Sequence, residues 1–280
     1  MKIYADFSRC VRSFWKASRC SKCVEACPAG ALYVGDGRVE VAEDLCVGCG
    51  ICIGACPTGV YTPAEELGPR ISCREGGPCI HALRFEDYVK LVEKYGEVEV
   101  DARCDDCKLR DAGGGWRALE EALKAGLRVK VVRGRGGDVS RRLLFRRAAA
   151  GDPSIKAVRG PPRRFEYSRP LGAEGLRPVV DVDRCVLCGV CAGVCPTEAV
   201  KVDEESGLVT VDGGRCVECG VCVEACDVGA LRLERGEVDV EHYLVEVVQC
   251  PNCGTIYAKN RGECPVCGFT TKLIKELYGL

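Results

Sequence analysis

Residues 185–226 read Cys185-x2-Cys188-x2-Cys191-x3-Cys195-Pro196, followed by Cys216-x2-Cys219-x2-Cys222-x3-Cys226. The same run occurs earlier as Cys46, Cys49, Cys52, Cys56 and Pro57, and before it stands a shortened version, Cys20-x2-Cys23-x3-Cys27-Pro28. Thiolates are soft ligands that favour iron and zinc, so repeated close spacings of this kind are metal-binding in character. Three cysteines at steps of three set their sulfurs around one corner of an iron–sulfide cubane, where the loop's backbone N–H groups can point at the sulfides. The fourth is expected to start a short helix and reach a neighbouring cluster, which explains why the runs come in pairs, and the proline after it turns the chain away. Zinc sites lack this run followed by Pro.

Two further cysteine sets lie outside the runs. Cys73, Cys79, Cys104 and Cys107 fall in the middle of the chain, where zinc, a 2Fe–2S cluster or four free thiols all remain open. Near the end, Cys250-Pro251-Asn252-Cys253-Gly254 and Cys264-Pro265-Val266-Cys267-Gly268 form two knuckles whose glycines are expected to turn backbone N–H groups toward the thiolates. Four sulfurs there enclose one tetrahedral ion, zinc by preference or iron. His81 and His242 have no motif around them and read as surface or satisfied core residues. No phosphate loop or nucleophile elbow appears, and Gly113-Gly114-Gly115 does not follow a strand as a nucleotide loop would.

The paired runs resemble the bacterial-type two-cluster ferredoxin over 1–68 and 178–243, and the last knuckles resemble a zinc ribbon or a rubredoxin-like domain. The ferredoxin resemblance implies four 4Fe–4S clusters. In the second module one would rest on Cys185, Cys188, Cys191 and Cys226, the other on Cys216, Cys219, Cys222 and Cys195. In the first, Cys46, Cys49, Cys52 and Cys27 would hold one cluster; the other has Cys20, Cys23 and Cys56, with Ala17 where the remaining ligand should stand. Cys10 is expected to loop round and supply it, the alternative being a three-iron or labile cluster, with Arg9, Arg12, Phe14 and Trp15 forming or covering the loop. Asp227 replaces the usual proline after Cys226 and is expected to change the turn but not the ligand. The middle set is loosely similar to the small iron–sulfur α/β subunit of the delta type in hydrogenase–heterodisulfide reductase systems.

The elements that must carry these ligands can be read from periodicity. Ala31–Val34 and Arg38–Val41 around Gly35-Asp36-Gly37 form a hairpin, repeated by Ala199–Val202 and Leu208–Val211. Over 69–132, a strand ending at Cys73, a helix through Phe85, Tyr88, Leu91 and Tyr95, a strand at 98–101, a helix closed by Gly126 and a strand at 127–132 predict a small parallel α/β unit. In such sheets ligands gather at the C-terminal strand ends, which is where the middle cysteines fall. Residues 133–177 read as a basic linker, with eleven Arg and two Lys between Arg128 and Arg169. Gly134–Gly137 and Gly160–Pro162 flank a short helix there, and the charge fits a solvated segment or one lying on the protein's own acidic modules.

Cysteine accounts for 24 of 280 residues, while aromatics make up only 6% and methionine occurs once, so metal sites must supply much of the folding energy. Length, a start without an apolar leader and the cysteine spacings exclude a secreted disulfide scaffold. No apolar stretch is long enough to span a membrane, and the internal Ser140–Phe145 segment with paired arginines is not an export signal. The fold class is α+β: two ferredoxin-like two-cluster modules flanking a small α/β domain, then a zinc ribbon over 244–280. The expected function is a cytoplasmic electron-transfer subunit, non-catalytic in itself. It would pass single electrons to or from a catalytic oxidoreductase partner or soluble carrier, with peripheral membrane contact allowed and no nucleic acid bound. The alternatives are a redox-sensing or assembly protein with a labile cluster near Cys10 and Cys20, and an enzyme acting at the middle cysteines.

Overall fold

The computed structural model describes residues 1–75, 77–105, 107, 110, 114–134, 155–169 and 172–278. The helix expected between Gly134 and Gly160, the Ser140–Phe145 segment and Gly113 lie outside the described residues. Helix and sheet are mixed, as an α+β chain requires. The chain divides into two compact units, Met1–Ser13 with Cys20–Pro162, and Phe14–Arg19 with Arg163–Leu280.

In the first unit, strand Ile3–Asp6 is paired antiparallel with Tyr61–Pro63 and parallel with Ile155–Val158. The segment read as a linker therefore contributes a strand, because Ile155 alternates inward and is fully buried against Ile3 and Ala5. The hairpin Leu32–Gly35/Arg38–Val41 turns on Asp36 and Gly37, both left-handed, which gives the tight two-residue loop that matches strand twist. Beside this layer stands the predicted parallel sheet, with Val98–Ala102 between Arg70–Ile71 and Val129–Arg133. Helices Phe85–Tyr95 and Gly115–Lys124 present Tyr88, Leu91, Leu119 and Ala122 to a core shared with Ile71, Val98 and Val100. Each fully buried aliphatic side chain there contributes roughly 2 kcal/mol.

Two close approaches lock this unit. A Cβ on Gly54 would stand 2.2 Å from the His81 carbonyl oxygen, and one on Gly115 would stand 2.4 Å from that of Ile80. The turn Ile80–Ala82 is thus clasped between helix Ile51–Ala55 and helix Gly115–Lys124. His81 is a buried core residue, its Nδ1 accepting from the Gly115 N–H at 3.2 Å.

In the second unit, Glu174–Val180 pairs antiparallel with Leu231–Glu237, and Leu208–Asp212 lies between Val200–Asp203 and Val240–Leu244. Val209 and Val211 face inward at period two, with Val180, Leu187 and Leu231, and form the core. His242 sits on the exposed side, 3.1 Å from the Thr210 hydroxyl. The short sheet Val247–Gln249/Ile256–Ala258 and helix Pro265–Tyr278 follow. Asn260 ties this end to the repeat by donating to the carbonyls of Val182, Asp183 and Cys185 at 2.9–3.3 Å. Phe14 and Trp15 group with this unit, in which the Ser18 hydroxyl and the Arg19 N–H donate to Glu224.

Candidate metal centres

The loops carrying the three full runs share one backbone device. Two residues after the first cysteine the chain turns left-handed, at Gly48, Leu187 and Glu218, and does so again at Gly50, Gly189 and Gly220. Alternating right- and left-handed residues aim successive N–H groups into one concavity, a shape suited to anions. The N–H groups of Gly48, Leu187 and Glu218 accordingly bond to the sulfurs of Cys46, Cys185 and Cys216, which counteracts the burial that raises those thiols.

The third cysteine of each run, not the fourth, belongs to the short helix. Cys52 lies in Ile51–Ala55 and Cys191 in Val190–Val194, whereas Cys56 and Cys195 end those helices in extended conformation. Pro57 and Pro196 favour the extended conformation there, since a proline disfavours the helical conformation in the residue before it, and helix Val221–Glu224 stops short of Cys226 even without one. Asp227 does not alter the following turn. The N–H groups of Gly30, Gly59 and Gly229 bond to the carbonyls of Cys27, Cys56 and Cys226 at 3.2, 3.3 and 3.0 Å. All three glycines have φ near +61°, and Glu198 holds the equivalent left-handed position after Cys195. The left-handed residue, rather than proline, defines the turn.

The structure brings the runs together in fours. Cys185, Cys188, Cys191 and Cys226 line one cavity with Val180, Leu187, Val209 and Leu231. Cys27, Cys46, Cys49 and Cys52 line another with Ile3, Leu32 and Ile155. Cys195, Cys216, Cys219 and Cys222 form a third group, in which burial and then the neighbouring thiolates push the Cys222 thiol far up. In the fourth group, Cys10 lies within electrostatic reach of Cys20 and Cys56, and Cys23 within reach of all three. Burial pushes Cys10 up to about 11 and Cys23 up to about 12. Cys10 is held there by the turn Phe7–Arg9, and Arg12 Nε donates to the Cys20 carbonyl at 2.8 Å. Buried thiols crowded this way ionise only if a cation shares the site, and an apolar cavity ringed by four of them fits an iron–sulfur cluster.

Several residues that touch the sulfurs carry no cysteine signature. The Ala199 and Ala230 N–H groups donate to Cys195 and Cys226 sulfurs at 3.3 and 3.2 Å. Thr58 and Thr197 place hydroxyls 3.5 and 3.7 Å from Cys56 and Cys195. Tyr61 turns its hydroxyl toward Cys23. A threonine two places after the fourth cysteine was visible in both Cys-Pro-Thr triplets; the tyrosine had no local signal.

Basic side chains of the 155–169 stretch lie on carboxylates of their own unit. Arg159 reaches Glu40 and covers the Phe7 ring, Arg164 meets Glu198 at 2.9 Å and Arg169 meets Glu218 at 2.7 Å. Burial raises Glu218, but Arg169 and the Leu176 N–H outweigh it and leave the carboxyl below its ordinary value.

At the last knuckles, Cys250 and Cys267 sulfurs lie 3.9 Å apart and those of Cys253 and Cys264 3.5 Å apart. All four fall within 4.8 Å of one another. A tetrahedral ion with bonds of about 2.3 Å needs sulfurs about 3.8 Å apart, so the set fits a single zinc or iron. The two knuckles are not alike. Gly254 is left-handed as expected, whereas Cys267 and Gly268 sit inside helix Pro265–Tyr278, for which Pro265 is a favoured first residue.

Residues 16–60 and 177–227 each match a family described as a 4Fe-4S dicluster domain. Both segments are two-cluster ferredoxin-type modules. Cys10 lies outside the matched stretch of the first ferredoxin-type module. An uncharacterized ferredoxin of Methanocaldococcus jannaschii is 39% identical over 61 residues, 21% of this chain and 37% of its own. A tetrathionate reductase subunit of Archaeoglobus fulgidus is 50% identical over 52 residues, and a component chain of the anaerobic dimethyl sulfoxide reductase of Escherichia coli 42% over 52, each match being 18% of this chain and 25% of the relative. The chain thus spans between a quarter and little more than a third of the length of these three relatives.

Proposed function

We propose that the protein is an electron-transfer subunit that relays single electrons through four 4Fe–4S clusters. The ligand sets would be Cys10, Cys20, Cys23 and Cys56; Cys27, Cys46, Cys49 and Cys52; Cys185, Cys188, Cys191 and Cys226; and Cys195, Cys216, Cys219 and Cys222. The observation that carries this reading is the gathering of four thiols around each of two apolar cavities, one in each module. Such clusters supply one-electron redox chemistry; the residues supply ligation, exclusion of water and N–H groups aimed at sulfur. Arg169, Arg164 and Arg215 set positive charge beside the second module's loops, where it offsets the negative charge of thiolate-bound clusters. Cys10 beside Cys20, Cys23 and Cys56 favours a complete four-thiolate site over the labile site that a sensor would need.

The partner is proposed to be the catalytic subunit of an oxidoreductase, since the relatives in tetrathionate and dimethyl sulfoxide reductases are named as component chains of those enzymes. Zinc is proposed at Cys250, Cys253, Cys264 and Cys267, as a clamp for the last 37 residues, 244–280. Among the described residues no helix is long and apolar enough to cross a membrane. The test is a reductive titration of anaerobically purified protein followed by electron paramagnetic resonance. Uptake of about four electrons per molecule supports the relay, and iron below about eight per molecule overturns it.

A further inference from the structure

The middle cysteines belong to neither pair of ferredoxin-type runs and are not used by the relay. Cys73 follows strand Arg70–Ile71 and Cys104 follows strand Val98–Ala102; the strands are parallel neighbours, with Ile71 opposite Val100. Both cysteines therefore leave the sheet at the same end. Cys79 and Cys104 are buried in one core, and Cys73, Cys107 and Cys49 pack against it. The Cys107 N–H donates to the Cys104 carbonyl at 2.9 Å, which closes a tight turn between the two cysteines. Cys104 lies within electrostatic reach of Cys73 and Cys107, and Cys79 of Cys73, Cys104 and Cys49.

Spacing separates the candidate occupants. Among the described residues, the knuckle cysteines alone form a group of three or more ligands mutually within 4.8 Å. The middle four are all described, so no three of them close to the distance that a single tetrahedral ion requires. Like the cysteines of the ferredoxin-type sets, they form no such tight group, which suits several metal atoms bridged by sulfide. Arg74 adds the charge such a group needs. Its side chain is largely buried, donates to the Arg103 carbonyl at 2.9 Å and lies 3.9 Å from the Asp101 carboxylate, beside Cys73 and Cys104.

We propose that Cys73, Cys79, Cys104 and Cys107 hold a fifth, sulfide-bridged iron–sulfur cluster beside the site of Cys27, Cys46, Cys49 and Cys52. The link between the two sites is direct: the Cys79 N–H donates to the Cys49 carbonyl at 3.2 Å, so one hydrogen bond joins a ligand of each. An electron moving across it oxidises one site by one electron and reduces the other by one, and no atom is transferred. The site's existence does not depend on the relay; only its purpose rests on that reading.

The deciding experiment counts acid-labile sulfide, iron and zinc in the whole, anaerobically purified protein and in its Cys104→Ser variant. Sulfide is decisive because a mononuclear ribbon site contains none. The proposal expects about 18 or 20 sulfides per molecule, with the variant losing the excess over about 16 and keeping the other clusters' resonance signals. If Cys104→Ser fails to accumulate, the half-buried Cys107→Ser and the wild-type count still decide. Sulfide stopping at about 16 overturns the fifth cluster and leaves the relay standing, whether the thiols then hold a second zinc, alkylate freely, or show the mass loss of about 2 Da of a disulfide. Sulfide of only about two to four, all lost in Cys104→Ser, would instead keep this site and overturn the relay.

Discussion

Cys10 shows what a single residue decides. Replacing it with alanine should leave three thiolates at the first site, so that iron falls by about one per molecule while sulfide is unchanged, with a three-iron resonance signal appearing on oxidation. No loss of iron would remove Cys10 from the ligand set. The same scale governs Asp101, a buried carboxylate outside the ligand sets. Hydrogen bonds from Arg103, assisted by Ser72, overcome its burial and hold its carboxyl down at about 2 from the ordinary 3.8. A depressed carboxyl stabilises the folded state above its unfolded value and loses that contribution as pH falls toward the folded one. Asp101→Asn should therefore cost on the order of 1–2 kcal/mol at neutral pH, and its deficit against wild type in thermal unfolding should shrink between about pH 4 and 2. The candidate ligands of the runs were legible in spacing alone, because chelation demands fixed intervals; Cys10 lies outside that spacing. Asp101 was not, since its partners Arg103, Ser72 and Arg74 become a network only after two strands align.

At the scale of elements, each ligand loop ends in a left-handed residue three places after the fourth cysteine, and Glu198 alone among the four carries a Cβ there. Gly59→Val should destabilise the first module by roughly 1–2 kcal/mol, because a β-branched residue is strained at that φ. Glu198→Gly relieves strain and removes ion pairs with Arg164 and Arg215, so thermal stability should move little. A loss there as large as that of Gly59→Val would show that the ion pairs, not the backbone, hold the turn. Hairpins, the parallel sheet and the helices Phe85–Tyr95 and Gly115–Lys124 could be read from periodicity and turn residues, whereas helix Pro265–Tyr278 was obscured by its knuckle motif. The helix position within each run differs from the expectation, because local spacing does not say which cysteine ends the turn; the prolines after Cys56 and Cys195 signal an end there, but Cys226 lies outside its helix with no such signal. Strand Ile155–Val158 was hidden by the arginines around it, and its partner lies about 150 residues earlier, a pairing that no local pattern reports.

On the scale of the molecule, the sequence looks like separate modules strung along a chain, but the cores run across the module boundaries. In the second unit Val245 and Ala258 of the 244–280 stretch share a core with Val209 and Leu231. In the first, Ile51 and Cys49 belong to the same apolar core as Tyr88 and Leu119. A fragment of residues 1–68 would expose that face, and we expect it to aggregate or lose its clusters, whereas 1–162 should purify with them intact; size-exclusion chromatography with iron analysis compares the two. Comparable behaviour of both fragments would refute the shared core. The clasp of Gly54 and Gly115 on the Ile80–Ala82 turn gives this an evolutionary reading. Cassettes are exchanged between genes at joints where backbones do not touch, and here the joint after residue 68 is crossed by the Gly54–His81 contact, which tolerates no side chain. Recombination at that point would have to keep a glycine at position 54 opposite the Ile80–Ala82 turn, so the first module and its neighbour are fitted to be inherited together.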